Sequence, residues 1–68
     1  MNAENIGTFA GLVWNALNET NPSSTKDVKK ATKLKDKELY AAIGWLARED
    51  KLGIEATEDG KDLVLTLK

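Results

Sequence analysis

The chain has 68 residues, 41% hydrophobic and 31% charged, with a formal net charge of −1 and a pI near 5.3. That composition belongs to a small folded domain rather than a disordered segment, and the length supports one domain, residues 1–68, built round one small core. Cysteine and histidine are both absent, which excludes disulfide frameworks, thiol nucleophiles, Cys/His zinc sites and imidazole bases.

The first predicted element is an amphipathic helix over residues 3–19. Ile6, Phe9, Ala10, Val13 and Leu17 repeat at helical spacing, and Asn2 is placed to cap it. Gly7 and Gly11 each cost about 1 kcal/mol relative to Ala inside a helix, so this helix depends on tertiary packing. The polar run Asn18 to Ser24 ends it, and Pro22 biases Asn21 away from helical angles. A short extended piece fits near 22–25. Ser24 or Thr25 then caps a second, short helix reaching about Thr32, with Val28 and Ala31 inward and Leu34 closing the turn. A third helix follows from Asp36, its pattern holding to Asp50. Leu39, Ile43 and Leu46 form its buried side, while Lys37, Ala41, Gly44 and Arg48 line the opposite side. Gly53 is expected to turn the chain into a strand whose Ile54 and Ala56 face inward. Asp59-Gly60 makes a hairpin turn, and Leu63, Leu65 and Leu67 share one face of the returning strand.

Three helices followed by a two-stranded antiparallel hairpin describe an α+β, mostly helical, winged helix-turn-helix, with a third short strand near 22–25 as an option. An isolated hairpin is marginal in water, so its apolar face must pack on the helices. With the elements placed, the segment Thr25 to Ile54, and above all Gly44-Trp45-Leu46-Ala47-Arg48-Glu49, resembles a family of small bacterial winged helix-turn-helix domains of unassigned function. The resemblance extends over nearly the whole chain. It implies the class to which many transcription regulators belong, and it brings neither catalytic residues nor a target.

Charge is unevenly distributed. Residues 1–25 carry a net of −2, residues 26–40 a net of +3 from six lysines against three acids, and residues 41–68 a net of −2. The basic segment coincides with the second helix, the turn and the start of the third. Two readings compete for it: a solvated lysine surface, or DNA phosphate contacts by Lys26, Lys29, Lys30, Lys33, Lys35 and Lys37. On the second reading, the third helix enters the major groove and Lys35, Lys37, Tyr40 and Ala41 lie nearest the bases. Asp36 and Glu38 beside them work against phosphate unless they are paired or turned away. No Arg, Asn or Gln stands in that half of the helix, so weak or shape-driven binding is favoured over base-specific readout. The hairpin tip, Glu58-Asp59-Gly60-Lys61-Asp62, is too acidic for a DNA arm.

The rival reading is a protein-interaction or dimerisation module with no DNA binding, presenting Leu12, Gly44, Trp45 and Arg48 to a partner or to a second copy. For Trp14 and Trp45 the simpler expectation is that both indoles complete the core of so small a domain, the alternative being an apolar interface. No acid pair has metal-holding spacing, and no nucleophile stands beside a base in a motif of known mechanics. A non-enzymatic chain without metal or cofactor is therefore expected. No apolar run approaches the about 18 residues that span a bilayer, and no basic stretch leads into an apolar one at the N-terminus, so a cytoplasmic location without membrane contact is the expectation.

Overall fold

A computed structural model describes residues 2–20 and 23–68. The chain forms α1 (Ala3–Glu19), β1 (Ser23–Ser24), α2 (Thr25–Thr32), α3 (Asp36–Arg48), β2 (Leu52–Ala56) and β3 (Leu63–Leu67). The three strands make one antiparallel sheet in the order β1-β3-β2, with Ser23 opposite Leu65 and Ile54 also opposite Leu65 on the other side. The option of a short third strand is realised at Ser23–Ser24. The expected effect of Pro22 on Asn21 lies outside the described residues.

Capping explains where the helices begin. The Asn2 side chain accepts from the Asn5 N–H at 2.9 Å, and the Ser24 hydroxyl accepts from the Asp27 N–H at 3.1 Å, each satisfying a donor that has no partner within the first helical turn. At α3 the roles reverse: the Lys35 N–H donates to the Glu38 carboxylate at 2.9 Å. A lysine side chain has no acceptor, so only this half of a capping box can form.

The core joins Ala10, Val13 and Leu17 of α1, Val28 of α2, Leu34 of the turn, Leu39, Ala42, Ile43 and Leu46 of α3, and Leu52 and Leu65 of the sheet. Phe9, Leu63 and Leu67 pack against its edge. Each fully buried aliphatic side chain contributes about 1.5–3 kcal/mol, against an ordering cost of similar total size.

Four features depart from the sequence-based expectation. On α2 the inward row is Thr25, Val28 and Thr32, so Ala31 is exposed; the Thr32 hydroxyl is satisfied by the Val28 carbonyl at 2.8 Å. Helix α3 stops at Arg48 rather than Asp50, because Asp50 takes up the left-handed conformation at φ 58°. The Asp50 N–H then bonds to the Ala47 carbonyl and the Lys51 N–H to the Leu46 carbonyl, the paired closure of a Schellman turn. Asp50, not Gly53, therefore redirects the chain, and Gly53 lies within β2 opposite Thr66.

On β2 burial ends soon after Leu52. Ile54, 39% exposed, and Ala56 stand beyond the helices although they share the strand face of Leu52. Finally, Trp14 and Trp45 are 40% and 39% exposed and do not complete the core. Aliphatic residues already fill that interior, so the larger indoles are left at its rim.

Candidate nucleic-acid interface

Lys26, Lys29, Lys30 and Lys33 fall at i, i+3, i+4 and i+7, one stripe of a helix whose other side is held in the core by Thr25 and Val28. All four are exposed, and together with Leu34 they line one shallow concavity. Lys33 ends the helix in the left-handed conformation, at φ 61° and ψ 22°, with its N–H bonded to the Lys29 carbonyl at 2.8 Å. A residue with a Cβ is strained there, and glycine is the usual occupant.

Lys35 and Lys37 are exposed at the start of α3 but do not line that concavity. Tyr40 is 52% exposed, whereas Ala41 is half-buried. The two acids of this region are engaged locally. Asp36 pairs with the Lys29 ammonium at 2.6 Å, and Glu38 caps α3. Lys29 is therefore already partnered in the free protein, while the other five lysines of the segment are not in its ion pair.

Lys26, Lys29, Asp36 and Tyr40 face the hairpin tip across a second cleft, whose far wall is Asp59, Lys61 and Asp62. The acids of that tip build the turn. Asp59 accepts from the Thr57 hydroxyl and from the Lys61 N–H, Asp62 accepts from the Leu63 N–H, and Gly60 at φ 70° closes the bend onto the Thr57 carbonyl. The Thr57 hydroxyl is the main cause, with the Lys61 N–H second, that holds the Asp59 carboxyl below its ordinary pKa. A negative rim thus borders the basic stripe on one side.

The residues first grouped as a partner surface separate in space. Leu12 belongs to a concavity between α1 and α2 with Ala16 and Ala31. Trp45 instead lies with Trp14 across a groove floored by Gly7, Ala10 and Gly11, with Glu49 and Lys51 at its end, and Arg48 adjoins Trp45 on the outer side. Gly44 has open space where a Cβ would stand. The pairing of the two indoles was not read from the sequence, although Gly7, Gly11 and Trp14 at i, i+4 and i+7 mark one face of α1.

Three helices, a short strand paired to the centre of the sheet and a hairpin wing define a winged helix-turn-helix. The chain belongs to the family described as winged helix-turn-helix domain (DUF2582), whose model matches residues 1–67. It is similar in structure to the protein BT2368 of Bacteroides thetaiotaomicron, determined by solution NMR. The TM-score is 0.81 and the identity 35%, over 97% of this chain and 79% of that one. No curated protein matches the chain. Among the described residues no helix is long and apolar enough to cross a membrane.

Proposed function

We propose that this chain is a DNA-binding winged-helix domain, a cytoplasmic module of transcription regulation, that meets double-stranded DNA through α2 and the start of α3. The observation that carries the reading is the exposed stripe of Lys26, Lys29, Lys30 and Lys33 along one side of α2. Lysines spaced one helical turn apart follow a phosphate backbone, and each phosphate neutralised releases condensed counterions. Lys35 and Lys37 extend the contact into the turn and the start of α3, where Tyr40 offers an exposed ring to a groove edge. Ala41 is half-buried and adds only a methyl surface.

The strain at Lys33 supports the same reading. Residue 33 keeps an exposed cation in a backbone conformation that favours glycine. The acids at the hairpin tip keep phosphate off the wing, so the contact is confined to α2, the turn and the first turns of α3. Without bidentate base readers there, binding is governed by charge and duplex shape.

The test is Lys30→Glu combined with Lys33→Glu, both exposed, titrated with mixed-sequence duplex DNA by fluorescence anisotropy at low salt. Losing two phosphate contacts lowers affinity at least about 60-fold at 0.1 M salt, at a slope of about 0.9 per contact. Circular dichroism should be unchanged. Equal affinity in the double variant and the parent would overturn the proposal.

A further inference from the structure

The sheet has a bare edge. Strand β2 is bonded to β3 on one side, and among the described residues nothing pairs its other side. The Lys68 N–H bonds to the Lys51 carbonyl and the Thr57 N–H to the Asp62 carbonyl, so the odd-numbered residues of this ladder turn their backbone polar groups to β3. Leu52, Ile54 and Ala56 therefore aim N–H and C=O outward. Ile54, Glu55 and Ala56 are exposed, so nothing in the chain shields that row. An uncovered row of this kind is a template for another strand.

We propose that the β2 edge pairs with β2 of a second copy of the chain, antiparallel about a two-fold axis at Gly53, so that the two sheets become continuous. The charges on β2 select both the occupant and the register. With Gly53 opposite Gly53 of the other copy, Lys51 stands directly opposite Glu55 of the other copy, and the two-fold axis repeats the pair. Both are exposed on the sheet face away from the helices, in the closer, non-hydrogen-bonded kind of pair. Neither side chain has an ion-pair partner within its own chain, where the described pairs are Lys29 with Asp36 and Lys68 with Asp50. Moving the axis to Ile54 sets Glu55 against glycine and Lys51 against Thr57. Moving it to Leu52 sets Glu55 against Glu49 and Lys51 against glycine. Of the three registers, the one centred on Gly53 alone matches both charges.

Two further observations fit that register. Leu52 and Ile54 of each copy become the hydrogen-bonding partners of Ile54 and Leu52 of the other copy, which satisfies the outward groups at both positions. Ile54, 39% exposed because the helices do not reach it, is then flanked by an apolar side chain on its own face of the sheet. Gly53 has no side chain to pack and weakens β2, yet a Cβ built there would make only ordinary contacts, at 3.7 and 3.8 Å, with Thr66. Packing within one copy therefore does not demand glycine. On the axis, where two Cα atoms approach to about 4.5 Å, glycine keeps the centre clear. None of these residues belongs to the lysine stripe, so the inference stands apart from the DNA contact.

Sedimentation equilibrium of the chain from about 10 μM to about 1 mM tests the proposal, because an interface carried by a few strand bonds and a repeated charge pair is of the weak class and its dimer should grow toward the upper end. Glu55→Lys sets Lys51 against a lysine and should lower the association constant about tenfold. Adding Lys51→Glu swaps the pair and should restore the parent's association. Both positions are exposed, so circular dichroism should match the parent in each variant. Amide exchange at Leu52 and Ile54 should slow as the parent chain is concentrated. A parent that stays monomeric at the highest concentration would overturn the proposal. So would Glu55→Lys associating as the parent does, or a charge swap that fails to restore the dimer.

Discussion

Lys33→Gly separates the contribution of residue 33 to the fold from its contribution to binding, because the two should change in opposite directions. In the folded chain Lys33 sits at φ 61°, where a Cβ crowds the following carbonyl at a cost of about 1–2 kcal/mol. Glycine removes that strain but adds about 0.5–1 kcal/mol of backbone entropy to the unfolded chain. A net gain of about 1 kcal/mol follows, which in a domain of this size raises Tm by about 4–8 °C. The same change deletes one cation from the α2 stripe. At about 0.9 in log affinity per decade of salt, losing that contact weakens DNA binding about eightfold at 0.1 M and makes the salt plot shallower by about 0.9. Thermal unfolding followed by circular dichroism reads the first effect, and anisotropy titration at several salt concentrations reads the second. A destabilised variant would contradict the strain assigned to Lys33. An unchanged salt slope would contradict its phosphate contact.

Asp36→Asn should do the reverse, freeing Lys29 from its ion pair and steepening the salt slope by about 0.9. It should cost about 0.3–1 kcal/mol of stability, since an acid is lost from the first turn of α3; urea unfolding checks the cost and DNA titration the gain. Leu17→Ala should lower stability by about 2–5 kcal/mol, because Leu17 is fully buried; a urea midpoint close to the parent's would mean that the core is not packed as described. At the hairpin tip, the folded Asp59 pKa lies below its unfolded value. Its stabilising contribution is therefore complete above the unfolded pKa and lost as pH falls through the lowered folded one. NMR titration of the Asp59 carboxyl should give a midpoint below that of an ordinary aspartate, and Thr57→Val should move it upward; a midpoint unmoved in that variant would remove the hydroxyl as the main cause.

The helices were legible because their signals are local. The spacing of Ile6 to Leu17, the Asn2 and Ser24 caps and the Leu39, Ile43, Leu46 row each arise within a few turns of chain, and the observed α1 and α2 have the expected bounds. Over residues 48–56 one local rule competes with another, and the structure departs from the expectation there. Gly53 is the usual turn residue, yet Asp50 also tolerates the left-handed conformation, and its Schellman closure ends α3 at Arg48, two residues before the expected end. Burial along β2 depends on how far the helices reach under the sheet, which alternation cannot convey; alternation alone predicts Ile54 and Ala56 inside.

The candidate site was legible in composition but not in pairing. Six lysines within residues 26–37 were evident in the sequence, whereas the Lys29–Asp36 pair and the capping role of Glu38 depend on the angle between α2 and α3. The Trp14–Trp45 groove joins positions far apart in the chain, and only the packing of α1 on α3 brings them together. Leu12, which the sequence groups with Trp45 as a partner surface, lies on the side of α1 turned to α2.

The central claim, that the lysine stripe on α2 is a DNA-contacting surface, is tested most directly by a backbone amide shift map of the chain titrated with mixed-sequence duplex DNA at low salt. The account predicts shifts that grow with DNA over residues 24–40, fade as salt is raised, and leave the amides of Gly7, Gly11 and Trp45 in place. Spectra that do not change with DNA, or shifts confined to the α1–α3 groove, would contradict it.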